Sequence, residues 1–519
     1  MKILQAIILF FSFVIISQAQ VTFQKTIGGS GSDAGKSVCQ TNDGGYIIAG
    51  STESFGAGDF DIYLIKTDTH GNIIWTKTFG GANDDFGNSV QQTSDGGCIV
   101  IGYSYSFGSG FTDIYLIKVD VNGDTLWTKA YGGTGYDYGT FVQQTFDGEY
   151  VFTGTLSTAF GDVNTCLMKL DINGDTVWVK TFGGSDHDNG HSFQQTADGG
   201  FIITGLTESF GEVYGDVYLI KTDSLGFLTW IKTFGGSATD RGNCVKQTAD
   251  GGYILSGYSY SFGTGLTDIY LIRTDANGDT LWSKTYGGSG YDMGYFIEQT
   301  SDGGFITAGY TTNSGTGDED VIVIKSDING DTLWTKIFGG LLSDLGYSIE
   351  QTTDGGYIIT GSTQSFGPGY DNVYLIKVDS SGNGTCNERI TSTAIIQPLT
   401  QVGSPLSMTI LSSAFVRPSA SQVNGGGNDS VLCMVTNVQG LQEHKFLIYP
   451  NPATYDFLIY ISSIVQNTHV EIHNILNEKI FSTSFREQLT VNCEHWPSGI
   501  YFATIQLETE MKTVKLIKQ

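Results

Sequence analysis

The sequence predicts an all-β chain whose main body is a seven-bladed β-propeller with strand-exchange closure, and three observations carry the prediction. Gly-Gly pairs stand at 28, 80, 132, 183, 235, 287 and 339, spaced by 52 residues with one interval of 51. Each interval holds four short runs of alternating, β-branched or aromatic residues punctuated by Gly, Asn and Asp, a pattern that suits strands and turns and not helix. The two ends of the array complement one another, as radial repetition around a ring requires.

Every unit opens with Gly-Gly-x-x-x-Asp-x-Gly, and its Asp recurs as Asp33, Asp85, Asp137, Asp188, Asp240, Asp292 and Asp344. Recurrence in every unit favours a turn-fixing hydrogen bond over a catalytic acid in one of them. A short strand such as 89–93 follows, then an Asp-Gly-Gly turn, a strand such as 46–50, a Ser-Phe-Gly loop and a run such as 61–66. A Gly-centred turn leads into the last strand, as in 125–131, where Trp75, Trp127, Trp178, Trp230, Trp282 and Trp334 occupy one position. Such large aromatics are expected to pack between neighbouring sheets. The stretch from Asp120 to Trp127 resembles the tryptophan-docking motif of quinoprotein propellers, but it is one residue shorter and lacks that motif's Ala and Thr, so the resemblance implies blade packing and no quinone. At the amino end, 21–29 reads as a Trp strand with Phe23 at the Trp position, while the seventh unit runs past Asp379 into Gly382 and Cys386 without such a strand. A linear β-solenoid, the alternative, would instead want polar caps at both ends.

The array occupies 20–385. Before it, Lys2, an apolar run from Ile3 to Ile16 and Ser17-Gln18-Ala19 read as a signal peptide over 1–19. That run is too short to span a bilayer, and nothing else in the chain is long and apolar enough to do so. After it, 386–440 loses the period and is rich in Ser, Thr, Pro, Gly and Val, which suggests a linker or small strand-rich appendage. Formal charge is −27, from 53 acidic and 26 basic residues, which argues against nucleic acid and leaves glycans, proteins or cations as partners. Cys39, Cys98, Cys166 and Cys244 are scattered through the repeats, there is no Cys-x-x-Cys, and only Cys386 and Cys433 flank a coherent segment, where an exported chain would form a disulfide.

Within 441–519, Tyr449-Pro-Asn-Pro452, Gly499-Ile-Tyr-Phe502 and the Lys-rich terminal run 512–518 occur together. This stretch, from about Phe446 to Gln519, resembles the type A carboxyl-terminal sorting domain of the type IX secretion system, although Asn477-Glu478 stands where that family usually has a turn Gly. The resemblance implies a small immunoglobulin-like β-sandwich recognised by the outer-membrane translocon. It also implies passage through the periplasm, and a cargo that ends up secreted or attached at the outer-membrane surface.

Chemistry is sparse. No Gly-x-Ser-x-Gly or His-Glu-x-x-His occurs. His187 and His191 form the one local histidine pair, on a Gly-containing loop better suited to solvent than to metal. Asp120, Asn122 and Asp124, with the equivalent hairpins at 171–175, 275–279 and 327–331, cluster oxygen ligands as half an EF-hand would, but Asn-Gly is itself a strong hairpin turn, so calcium stays a weak candidate and no other cofactor is expected. The residues that vary around the repeated Asp are Phe86, Tyr136, Tyr138, His187, His191, Arg241, Tyr291 and Tyr295. If their loops share one face, they would ring its opening and stack on sugar or grip a peptide. The expectation is a non-enzymatic exported module for a glycan or protein ligand. The rivals are a purely structural surface protein and a secreted polysaccharide-degrading enzyme, the latter favoured if some units turn Asp or Glu toward the channel where the others do not.

Overall fold

The computed structural model describes residues 20–157, 163–211, 214–313 and 318–384, and beyond them the strands with a few adjoining residues. The expected signal peptide and the side chains of Cys386 and Cys433 lie outside the described residues. Within them the chain is all-β, and no helix is long and apolar enough to cross a membrane.

Each repeat folds as a four-stranded antiparallel sheet in sequence order, for example Asp85–Gln92, Cys98–Ser104, Asp113–Val119 and Thr125–Tyr131. The same order recurs in the sheets that begin at Asp33, Tyr138, Asp188, Asp240 and Asp292. In the sheet that begins at Asp344, the fourth strand is Val21–Gly28 from the amino end, antiparallel to Asn372–Val378. Phe23 sits opposite Lys377 there, as Trp75 sits opposite Lys66. Repeated sheets of this kind fit a β-propeller.

Three repeated contacts explain why neighbouring sheets stack. The Trp ring packs against the second strand of the next sheet, with Trp127–Tyr150, Trp178–Phe201, Trp230–Tyr253, Trp282–Phe305 and Trp334–Tyr357 centroids 6.0 Å apart, and Phe23–Tyr46 repeats the contact at 6.1 Å. Its far edge meets the hairpin Gly of that next sheet; Gly123 has φ 78° and so little room beside Trp75 that a Cβ would overlap the ring. The last Gln of each first strand accepts a turn N–H from the preceding sheet at 2.8–2.9 Å, and the series runs on from Thr353 to Gln40.

Within each sheet, a cation of the third strand, buried in every repeat but that of the half-buried Lys169, pairs with the turn Asp at 2.5–3.1 Å, from Lys66–Asp43 through Arg273–Asp250 to Lys377–Asp354. Burial pushes Asp43 up, but bonds from Thr41, Lys66 and Gly45 outweigh it and hold the carboxyl at about 2. Asp302→Asn strands the buried Lys325 ammonium without its counter-charge. Because Asp302 is half in water, the expected loss is about 1–2 kcal/mol, below that of a fully buried pair, to be read as a lower urea midpoint at unchanged slope.

The first strands carry a one-residue irregularity after Gly35, Gly87, Gly139, Gly190, Gly242, Gly294 and Gly346. Such a bulge re-aims the residues that follow it. Beyond the repeats, segment 386–440 contributes short strands to outer sheet edges. Glu388–Ile390 pairs with Thr332–Phe338, Ala394–Ile396 with Thr280–Gly287, Gln422–Asn424 with Ile73–Phe79 and Asn428–Thr436 with Val21–Gly28. Covering an open edge removes a site for unwanted strand pairing. The tail forms a sheet of Phe446–Tyr449, Asp456–Ile461 and Gln488–Asn492 and another of Lys479–Phe485, Thr468–Asn474, Gly499–Gln506 and Met511–Lys518. Val470, Ile472, Val491, Cys493, Tyr501, Ala503, Ile505 and Leu516 form their shared apolar cluster.

Candidate functional site

The first strands converge, and their two ends offer different chemistry. At the starting end the repeated Asp is spent on structure: each accepts the N–H of the second Gly of its own Gly-Gly pair at 2.7–2.9 Å. The variable residues beside it divide. Phe86 stacks between Phe60 and Tyr103 (5.2 and 5.1 Å), and Tyr103 meets Tyr138 edge-on at 4.8 Å. Tyr136 is half-exposed and lies parallel to Phe111, centroids 5.0 Å and 12° apart. Tyr105, also exposed, hydrogen-bonds Tyr138 and meets Tyr103 edge-on at 6.3 Å. At the same end of later repeats, Tyr295 packs on Tyr310 and Tyr347, Tyr291 is exposed, and Arg241 has a buried Nε with no hydrogen-bond partner among the described residues. Lys36 lies 3.4 Å above the Tyr347 ring, where burial lowers its ammonium to about 8.

The two histidines separate. His187 is exposed, whereas His191 is turned inward and bonds Gly242 O at 2.8 Å, the same link to the next sheet that Asn88, Thr140 and Asn243 make in their repeats. Burial, with the Arg241 charge adding, holds the His191 imidazole well below its usual range, so it is neutral. Asp120 accepts the N–H groups of Asn122 and Asp124 at 2.9 and 2.8 Å, and Asp124 pairs with Lys77 at 3.0 Å. Those oxygens fix the hairpin, and no cluster of three or more His, Cys, Asp or Glu placed for a metal occurs among the described residues.

At the finishing end lies a cavity of about 390 Å³ that sequence reasoning missed. Its lining includes, from every first strand, the residue before the last Gln, namely Cys39, Gln91, Gln143, Gln194, Lys246, Glu298 and Glu350, together with turn residues of the first two repeats such as Asn42 and Ser94. Gln91, Gln143, Gln194, Glu298 and Glu350 each accept a backbone N–H from the next sheet at 2.6–3.0 Å. Among the described residues Lys246 makes no hydrogen bond; it lies over Phe296 and Phe141, 4.9 and 5.4 Å from their centroids, and its charge acts on Glu298 and Glu350. Burial pushes Glu350 up to about 7 against the Gln40 N–H, with the Glu298 charge adding, and burial raises Glu298 as well. The signal that would have found these residues was the column Cys, Gln, Gln, Gln, Lys, Glu, Glu across the aligned repeats.

Comparison with known proteins bears on the two parts of the chain unequally. Over 223 residues it is 25% identical to the Regulatory protein FlaEY of Caulobacter vibrioides, a match that covers 36% of this chain and only 23% of that protein. Among solved structures, a fungal alcohol oxidase of the AA5 family in complex with copper aligns at 12% identity and TM-score 0.37, covering 96% of this chain and 99% of that one. The extracellular domain of a hybrid two-component system from B. thetaiotaomicron aligns at 12% identity and TM-score 0.30, covering 93% and 68%. Likenesses this distant transfer neither protein's chemistry. Residues 447–519, by contrast, match the Secretion system C-terminal sorting domain. The chain therefore carries a type IX sorting tail, which implies handling by that secretion system and secretion or attachment at the cell surface.

Proposed function

We propose that the chain is an exported, non-enzymatic seven-bladed β-propeller, closed over 20–385 by the amino-terminal strand, that binds an extracellular glycan or protein through its aromatic mouth. On this reading 1–19 is a cleaved signal peptide, 386–440 edges the outer strands, and 441–519 is an immunoglobulin-like sandwich presented to the translocon. The observation that carries the binding role is the parallel pair Phe111 and Tyr136, which are 66% and 48% exposed, beside the exposed Tyr105 that leads into the Tyr138–Tyr103–Phe86–Phe60 cluster. A contiguous aromatic surface left in water marks a contact site, and ring faces suit the C–H face of a sugar.

The test is a glycan array on the secreted protein, with and without chelator, beside a reducing-sugar assay on the same polysaccharides. Binding without product release, indifferent to chelator and weakened about tenfold by Tyr136→Ala, is the expected result. A secreted polysaccharide-degrading enzyme is the second reading, favoured by Glu298 and Glu350 standing where other repeats carry Gln, Lys or Cys. Sugar release that stops on Glu350→Gln would establish it in place of the first.

A further inference from the structure

The cavity at the finishing end of the first strands holds charges that the fold has no need of. Gln91, Gln143 and Gln194 bond the next sheet's backbone with an amide oxygen, and the bonds from Glu298 and Glu350 have the same geometry. A carboxylate there adds the cost of holding a charge partly out of water while making no bond that Gln would not make. Lys246 gives up the bond altogether.

Within this column the polar groups are also sorted. Three amides whose oxygens are already engaged, and whose remaining polar atoms are NH2 donors, stand consecutively with the Lys246 ammonium at 91, 143, 194 and 246. The next two positions, 298 and 350, are carboxylates, each with one oxygen committed and one left to accept. The partly buried Phe141 and Phe296 supply apolar wall. One side donates, the other accepts, and the volume suits a small molecule.

We propose that this cavity binds a small zwitterion of the amino-acid or dipeptide class, its carboxylate toward Lys246 and the three amides, its ammonium toward Glu298 and Glu350, and its apolar part against the phenylalanines. Bonds between ionised partners are about twice as strong as neutral ones, so both charged ends of the ligand contribute to recognition. Neutral sugars offer no such pair. The site is separate from the aromatic mouth at the other end of the same strands, and either can exist without the other.

Isothermal titration of the intact secreted protein with free leucine, glycyl-leucine, butylamine, butyrate and glucose tests this. Leucine or glycyl-leucine binds saturably, butylamine and butyrate bind at least about tenfold more weakly, and glucose does not bind. Glu350→Gln and Lys246→Gln place at these positions the residue that three other repeats already carry, so each variant unfolds at or above the parent's temperature. Each weakens the zwitterion about tenfold. Affinity rises between pH 6 and 8 in the parent, as Glu350 ionises near 7, and that rise is lost in Glu350→Gln. The proposal is overturned if neither zwitterion binds, if glucose binds as well as leucine, or if both Gln variants bind like the parent.

Discussion

Phe23→Ala lowers the stability of the repeat body by about 3–5 kcal/mol. Phe23 is completely buried, packs edge-on against Tyr46 and lies in a strand held on both sides, by Asn372–Val378 and by Asn428–Thr436. The truncation opens a void at the one place where the two ends of the array meet. Hydrogen exchange separates closure from ordinary core damage. If the repeats form a ring latched by this strand, exchange quickens together in Tyr46–Thr52 and Asn372–Val378, which are more than 300 residues apart in sequence, and lags in Phe201–Thr207. Acceleration confined to one of the two terminal sheets would fit an open array that frays from an end, and closure would then be abandoned.

Phe23 also shows how much of the fold the sequence makes legible. It stands in a run that reads as a Trp strand ahead of the first full repeat, and its ring partner, register and opposite residue are those of the Trp strands. Period, strand count and tail were readable because each is written in local residue type: Gly for turns, β-branched and aromatic residues for strands, and a compact motif set for sorting. The cavity residues were not readable in the same way. Strict alternation assigns faces by counting, and the irregularity after Gly35 and its equivalents shifts that count by one, so the inward column at 39, 91 and 143 is not where simple alternation from the repeated Asp would put it. Of the eight residues chosen for variability, Tyr136, Tyr291 and His187 are exposed, Phe86 and Tyr138 belong to a stack, and His191 is tied to a backbone carbonyl. Variability marks where repeats differ, and a structural link such as Asn88, Thr140 or His191 varies as freely as a binding residue when only a bond to one carbonyl is required of it.

The junctions between sheets carry a second large effect, and two of them already contain its control. The first-strand Asp of one repeat and the third-strand residue of the preceding one crowd the same Gly: Asp85 and Asp61 at Gly80, Asp137 and Asp113 at Gly132, Asp292 and Asp268 at Gly287. Burial raises all six carboxyls, and the Asp61, Asp113 and Asp268 charges push their partners further, Asp292 reaching about 6. At Gly183 and Gly28 the third-strand residue is Asn164 or Asn372, so a neutral carboxamide satisfies the same space. A carboxyl raised above its unfolded value of about 3.9 favours the folded state fully below that pH, and the advantage is lost as pH climbs through the folded value near 6. The turn aspartates act in the opposite sense: Asp43, held at about 2, stabilises above about 4 and loses its effect as pH falls toward 2. Maximum stability is therefore expected in mildly acidic solution. The triple variant Asp61→Asn, Asp113→Asn and Asp268→Asn removes the neighbouring charge at three separate junctions. Distant sites add, so at about 1 kcal/mol each the gain at pH 8 is about 3 kcal/mol, and it is smaller at pH 5, where the raised partner carboxyls take up more protons in the parent too. Calorimetric unfolding of parent and variant across that range reads the difference directly. A gain of equal size at both pH values would mean that the carboxyls carry no shared charge penalty and that Asn merely packs better.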